Sequence, residues 1–400
     1  MKFIDMFCGV GTVRMGFEQA NHECVYSIEW DKHKRKIYEV IFGEEPQGRD
    51  IRTVRANDLP RADCWTFGAP CQDFSIAGKR AGMEGDRSSL VREVFRLVRE
   101  TKEEYRPKYL LYENVKGMLS SNKGFDYLEI VFEMESLGYD IEWQCINSKD
   151  YVPQNRERIY TIGHLRGQCT RKVFPISESS GVHNQQVQDR ESNNENTLCL
   201  TTQSNWTGSF IQQTNPSINS DGTVTAIDAH YYKGIGCRGN KWRAMADSNQ
   251  IKEVEVRACL TPDRLEKRQN GRRFKEDGEP MFTLTGQDIH GVMITEATKK
   301  GYAEAFEGDS INLAMPNSKT RRGRVGKGVG NTLDTSCNQA ILTQGRIRRL
   351  TPKECMRLQG VSDEVTDKLI EAGISDTQMY RAAGDACTVN VIYEIAKRME

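Results

Sequence analysis

Four short clusters in this chain combine reactive side chains with backbone types that expose them. Cys71 sits between Pro70 and Gln72, just after the apolar run 64–68. A thiol on a stiff Pro-Cys turn at a strand end occupies a place where α/β enzymes carry catalytic groups. A single cysteine is as readily a buried, inert one. Glu113, in Tyr112-Glu113-Asn114-Val115, closes a second apolar run and can exchange a proton with a ligand. Arg156 and Arg158, in Gln154-Asn155-Arg156-Glu157-Arg158, share one face of an extended chain. Their guanidinium forks suit phosphates and planar base edges, and salt bridges to Glu157 or elsewhere are the plainer use.

The fourth cluster is Asp5-Met6-Phe7-Cys8-Gly9-Val10-Gly11. Its glycines let a ligand approach the backbone and leave a helix amino terminus facing it. A tight structural turn would use the same Gly-x-Gly. Glu29, closing the next apolar run, stands where nucleotide-binding α/β sheets hold a ribose hydroxyl. Trp30 beside it offers a flat face for an adenine ring. Asp50, in Gly48-Arg49-Asp50-Ile51, is expected on the following strand, where it can accept from an exocyclic amine.

These groups need elements to position them. Residues 1 to about 165 alternate short apolar runs with amphipathic stretches, the pattern of a doubly wound α/β sheet. Strands are expected over 3–7, 24–28, 64–68, 109–113 and 158–164. Helices are expected from Thr12, over 32–41 and over 91–98. Residues 177–196 are polar and read as a linker or surface excursion. The chain is then Thr- and Gly-rich with short β-like runs to 343, and helical spacing returns after 350, ending in an amphipathic stretch over 387–399.

The 400 residues suffice for one large domain and one smaller one. With 37% hydrophobic and 28% charged residues, a core can be buried. No apolar run approaches the roughly 18 residues of a membrane helix. The amino terminus reads as a strand at once, with no signal or transit peptide, so the expected location is the cytoplasm. The formal net charge is zero, yet basic residues gather in three runs: Lys319 to Lys327, Arg257 to Lys275, and Arg346 to Lys353. Their clustering in the later half points to a phosphate-binding face. The twelve cysteines form no Cys-x-x-Cys pair and no zinc-finger spacing, so they read as reduced thiols, with no metal called for.

Taken in order, Gly-x-Gly, Pro-Cys-Gln, Glu-Asn-Val and Gln-x-Arg-x-Arg resemble the cytosine-5 DNA methyltransferase family of bacteria and phages. Closing motifs agree: Arg349-Leu350-Thr351-Pro352, Glu354, Arg357-Leu358-Gln359-Gly360, Tyr380, and Gly384-Asp385-Ala386. The resemblance spans nearly the whole chain and is broken only from about 175 to 330, where family members carry a variable target recognition domain. Two residues depart from the pattern. Thr12 stands where the family has a third glycine, and Asp385 stands where it has an asparagine. Asparagine donates and accepts; aspartate only accepts.

The resemblance implies a Rossmann-like α/β sheet dependent on S-adenosyl-L-methionine, with a second, smaller β-rich domain. The expected boundaries are a catalytic domain over 1–175 and a small domain over 176–375, with its recognition region at about 176–345. A carboxyl-terminal helix over 376–400 would return to the catalytic domain, with the small domain facing it across a DNA-sized cleft. The methyl donor would meet Phe7, Gly9, Gly11, Glu29, Trp30, Asp50, Ile51, Pro70, Leu90 and Asp385. Cys71 would attack carbon 6 of a flipped cytosine, with Glu113 serving ring nitrogen 3 and the exocyclic amine. Arg158 would hold the carbonyl edge or a phosphate, and Arg156 would support the site. Double-stranded DNA would meet Gln72, Ser75, Gln154, Thr332 and Arg349, and the stretch 72–89 would close over the extruded base. The expected protein is a monomer, with a restriction endonuclease as a possible partner.

Three other readings compete. An RNA cytosine-5 methyltransferase of the tRNA-modifying branch shares the Pro-Cys-Gln and Glu-Asn-Val motifs, but generally has a shorter recognition region. A catalytically silent DNA-binding module would not need Cys71, Glu113 and Arg158 together. A nicotinamide oxidoreductase would account for Gly-x-Gly and Glu29, but not for Pro-Cys-Gln.

Overall fold

A computed structural model describes residues 1–68, 89–176, 256–260, 290–315, 318, 320–343 and 346–399. They fall into two compact units. The first contains residues 1–151, 156–176 and 355–399 of the described chain; the second contains 152–155 and the described residues between 256 and 354. Residues 355–375, expected in the small domain, therefore group with the first unit. The buried Gln359 side chain shows why, donating to the Ala383 carbonyl at 2.7 Å.

The first unit is built on a six-stranded sheet. Its strands are β1 (Lys2–Met6), β2 (Glu23–Ile28), β3 (Cys64–Phe67), β4 (Tyr109–Val115), β5 (Tyr139–Asn147) and β7 (Glu157–Leu165), in the spatial order β2-β1-β3-β4-β7-β5. Strands β1 to β4 pair in parallel, while β7 runs antiparallel to both β4 and β5. Runs such as Cys64–Phe67 are buried on both faces, as parallel strands between helical layers must be.

Alternation along the strands divides the core. Ile4, Met6, Trp65, Phe67, Leu110 and Tyr112 face one side, where Val94, Phe95 and Leu97 of helix α3 (Ser89–Glu100) pack with Ile130 and Met134 of helix α4 (Phe125–Ser136). Phe3, Cys64, Leu111 and Ile162 face the other side. There they meet Phe17 of helix α1 (Thr12–Gln19) and Ile392 and Ile395 of a carboxyl-terminal helix, Val389–Ala396. A Cβ on Gly16 would lie 2.6 Å from Ile392 Cγ2, so the glycine lets these two helices approach.

Between them lie helices α2 (Lys32–Phe42), α5 (Pro352–Arg357), α6 (Asp363–Glu371) and α7 (Asp376–Asp385), which makes the carboxyl-terminal helix α8. The strand expected at Gly48–Ile51 is not formed. Gly48 makes one bridge to Ile28, and Asp50 caps a single 3₁₀ turn, Ile51–Thr53, by accepting from the Arg52 amide.

The chain is pinned where it leaves this sheet. The Gln144 side chain accepts from the Ile176 amide at 2.8 Å and donates to its carbonyl at 3.0 Å. Glu142 accepts from the amides of Val173 and Phe174.

The second unit is β-rich. It has a three-stranded antiparallel sheet of β8 (Val256–Leu260), β9 (His290–Thr295) and β10 (Tyr302–Ala305). A four-stranded sheet joins β11 (Ser310–Asn312), β12 (Val325–Gly326), β14 (Gln339–Thr343) and β15 (Arg346–Arg349). A short parallel pair links β6 (Gln154–Asn155) to β13 (Gly330–Asn331). Among the described residues, no helix is long and apolar enough to cross a membrane.

Candidate active site

Register brings the first unit's reactive groups to one end of the sheet. Met6 pairs with Ile28 and Phe67, and Phe67 pairs with Tyr112, so the parallel strands finish together. Ligands of open α/β sheets bind beyond this carboxyl edge.

Strand β1 leads into a turn of unusual backbone. Phe7, Gly9 and Gly11 have φ of 61°, 59° and 85°, all left-handed. At Gly11 the conformation is reinforced by packing, because a Cβ there would lie 2.2 Å from the Phe42 ring. Glu29 braces the turn. Its Oε2 accepts from the Gly9 amide at 2.9 Å and its Oε1 accepts from the Asp31 amide at 2.8 Å. This second duty was invisible in the spacing alone. Each oxygen keeps lone-pair capacity for another donor. Trp30, next along the chain, is 73% exposed and free to cover a planar ligand.

Asp50 is held by Arg52, whose Nη2 lies 2.7 Å from Oδ2. Ile51 is buried, and Leu90 is partly buried against the same core cluster. Under the turn, Asp5 is fully buried and accepts from Thr66 Oγ1 at 3.0 Å. Burial pushes its carboxyl up to about 7, despite the opposing Thr66 hydrogen bond and Arg14 charge.

Glu113 and Arg158 meet through the antiparallel β4–β7 pairing. Glu113 is opposite Tyr160 and Val115 is opposite Arg158, which makes Glu113 and Arg158 diagonal neighbours. Arg158 Nε lies 3.2 Å from Glu113 Oε1, and both side chains are largely shielded. The salt-bridge partner of Arg158 is thus Glu113, while its Nη1 donates to the Glu157 backbone carbonyl at 2.8 Å and the Glu157 carboxylate pairs with Lys116 at 2.7 Å. A Cβ on Gly68 would lie 3.2 Å from Glu113 Oε2, so the glycine leaves the carboxylate room where β3 ends. Cys71, Pro70, Gln72 and Ser75 lie outside the described residues, as does most of the stretch 72–89.

Arg156 differs from Arg158 in being 2% exposed, so it has no surface for a substrate. Its Nη2 donates to the carbonyls of Gly384 and Ala386 at 3.1 and 2.8 Å. Burial, then the neighbouring Arg158 charge, lowers its pKa to about 10. It is a positioning residue that ties β7 to the end of α7. Nearby, Cys387 donates its amide to Thr12 Oγ1 at 3.2 Å, and Asp385 Oδ2 lies 2.8 Å from Lys34 Nζ. Both departures from the family pattern therefore have partners here. No motif pointed to Lys34, which lies in the first turn of α2.

In the second unit, Gln154 is fully buried and accepts from the Leu333 amide at 3.1 Å. Its side chain is committed to this internal bond. Thr332 is exposed, and its hydroxyl donates to the Asn155 carbonyl at 2.6 Å. Arg349 donates to the Cys337 carbonyl at 3.0 Å and to the Ser336 carbonyl, holding a turn rather than presenting a free fork. The basic runs are partly consumed in the same way. Arg324, 1% exposed, donates to the carbonyls of Asn312, Ala314 and Met315, while Lys327 pairs with Asp309 and Arg348 with Glu354.

The residues around the glycine turn fit S-adenosylmethionine in kind: an exposed indole for the base, a carboxylate with spare lone pairs for the ribose, and a Lys–Asp pair for an amino acid. The C-5 cytosine-specific DNA methylase family model matches residues 1–400. Type II methyltransferase M.BanI of Aneurinibacillus aneurinilyticus is 30% identical, with 99% of this chain and 94% of that protein covered. Orphan methyltransferase M.SPRI of Bacillus phage SPR is 28% identical, with 100% and 97% covered. The fold is shared with a DNA modification methyltransferase encoded within an E. coli prophage, at TM-score 0.52 and 18% identity, covering 99% of this chain and 97% of that one. The chain belongs to the C-5 cytosine-specific DNA methylase family and is a DNA (cytosine-5-)-methyltransferase.

Proposed function

We propose that Cys71 is the nucleophile, that Glu113 and Arg158 hold the target cytosine, and that the site acts on a base flipped out of a specific duplex sequence. The observation that carries this reading is the shielded Glu113–Arg158 pair at the carboxyl edge of β4, with Gly68 making room beside it. A carboxyl can serve ring nitrogen 3 and the exocyclic amine, while a guanidinium meets the carbonyl oxygen. Neither group reaches a base stacked in a duplex, so extrusion precedes chemistry.

The Cys71 thiolate adds its electron pair to carbon 6, and the ring's electrons move toward nitrogen 3, where Glu113 supplies a proton. Carbon 5 becomes enamine-like and nucleophilic. Glu29 and Trp30 would hold S-adenosylmethionine, whose electrophilic methyl group would pass to carbon 5 and leave S-adenosylhomocysteine. Return of the nitrogen 3 proton to Glu113 and loss of the carbon 5 proton to a base then expel the Cys71 thiolate and restore the aromatic ring. The free thiol is mostly protonated near neutral pH, so its site must favour the thiolate or accept its proton.

The β-rich unit serves as the target recognition region, and Thr332 meets the DNA backbone. Gln154 and Arg349 support that role by fixing the segments around Leu333 and Ser336. The enzyme acts as a monomer in the cytoplasm of a bacterial cell or phage-infected host, alone or beside a cognate restriction endonuclease.

Incubation with labelled S-adenosylmethionine and unmethylated duplex DNA tests this reading. Label mapping to 5-methylcytosine, and absent with Cys71→Ser, is expected. Undiminished transfer by that variant would remove Cys71 from the mechanism.

A further inference from the structure

The first turn of α2 is joined to α7 by three polar contacts. Arg381 Nη2 lies 3.2 Å from Asp31 Oδ2, Gln378 Nε2 lies 2.6 Å from His33 Nδ1, and Lys34 Nζ lies 2.8 Å from Asp385 Oδ2. The third differs in its surroundings. Asp385 is the last residue of α7, and two residues later Cys387 bonds Thr12 Oγ1 at the exit of the glycine turn. On the other side, Glu29 links that turn to the start of α2 by accepting from the Gly9 and Asp31 amides. The Lys34–Asp385 pair thus stands beside the turn, with its side chains 21% and 35% exposed and open to a ligand.

We propose that Lys34 and Asp385 together grip the amino-acid end of the methyl donor, the ammonium facing its carboxylate and the carboxylate facing its ammonium. This inference rests on the placement of S-adenosylmethionine over Glu29 and Trp30.

Donor chemistry and charge balance support it. The amide usual at this position of the family both donates and accepts, whereas aspartate only accepts. Lys34 restores the missing donor. A zwitterion placed between a cation and an anion replaces one ion pair with two and leaves the net charge unchanged. Left alone, a partly exposed pair contributes little to stability, so a purely structural role is a poor account of it. Lys34 also keeps its proton. Burial acts to lower its pKa, but Asp385, Glu29 and Asp31 outweigh that and leave it raised.

Titration calorimetry on the full chain separates this grip from a mere helix clamp. S-adenosylhomocysteine carries the amino-acid end, and 5′-methylthioadenosine lacks it. Lys34→Met is expected to weaken S-adenosylhomocysteine about tenfold while changing 5′-methylthioadenosine less than about twofold. The double variant Lys34→Met with Asp385→Asn is expected to recover most of the loss, because the amide donates and accepts by itself. Equal weakening of both ligands, or an unchanged Kd for S-adenosylhomocysteine, would overturn the grip and leave the methyl-donor site standing. Failure of the unaltered protein to bind either ligand would overturn the placement of the methyl donor itself.

Discussion

Arg156 donates to the Ala386 carbonyl at 2.8 Å, across 230 residues of sequence. The strand that carries Arg158 is thereby fastened to the turn that follows Asp385, which links the proposed base-holding side of the site to the proposed methyl-donor side. Arg156→Met removes two buried hydrogen bonds from a charged donor and should cost about 3 kcal/mol of stability. Arg156→Lys retains the charge but not the reach to both carbonyls. Its expected signature is a weaker Kd for S-adenosylmethionine together with a lower kcat, at nearly normal melting temperature. Kinetics matching the unaltered enzyme would show that the fastening has no catalytic consequence.

Glu113→Gln keeps the shape of the site and removes its exchangeable proton. Methyl transfer to duplex DNA should fall by at least about a hundredfold. Binding of S-adenosylmethionine should change little, since Glu113 pairs with Arg158 rather than with the glycine turn. A combined transfer assay and titration checks both parts, and a loss confined to binding would contradict the assignment.

Gly11→Ala tests the turn. The substitution forces an alanine to φ 85° and drives a methyl group into the Phe42 ring. Left-handed strain and overpacking together should cost about 3 kcal/mol. Urea denaturation reads this directly; a shift below about 0.5 kcal/mol would mean that the turn relaxes freely.

Asp5 makes stability depend on pH. Its carboxyl is raised from 3.8 to about 7, so the folded chain holds this proton more tightly than the unfolded chain. The resulting stabilisation is complete below the unfolded value and is lost as pH rises through about 7. Asp5→Asn cannot ionise. The stability of the unaltered protein relative to this variant should therefore fall between about pH 4 and pH 8, by up to about 4 kcal/mol. Parallel stability–pH curves for the two proteins would rule this out.

Much of the catalytic sheet could be read from the sequence because its signals are local. The continuous apolar run at Cys64–Phe67 and the glycines after Met6 each declare a strand end without reference to the rest of the chain. Strand β5 and helix α4 carry no such local signal. In β5, Glu142 and Gln144 interrupt the apolar pattern because they bond the backbone at 173–176. In α4, Phe125, Leu128 and Phe132 remain exposed and blur the helical period. The site divides in the same way. Glu113 and Arg158 follow from motif order, but the burial of Arg156 does not. That depends on the 384–386 turn, which sequence distance hides. Basic runs are harder to read, since within them Arg324 and Arg349 satisfy nearby carbonyls, and residues 261–275 lie outside the described residues.

The Gln144 side chain holds both polar backbone groups of Ile176, much as a neighbouring strand would. The sheet is thereby closed off at residue 176. Tension from a lengthened or exchanged segment would end at that amide instead of prying at β5. Strand β5 is in this sense insulated from the chain that follows, which leaves it from a fixed coupling point at the edge of the sheet.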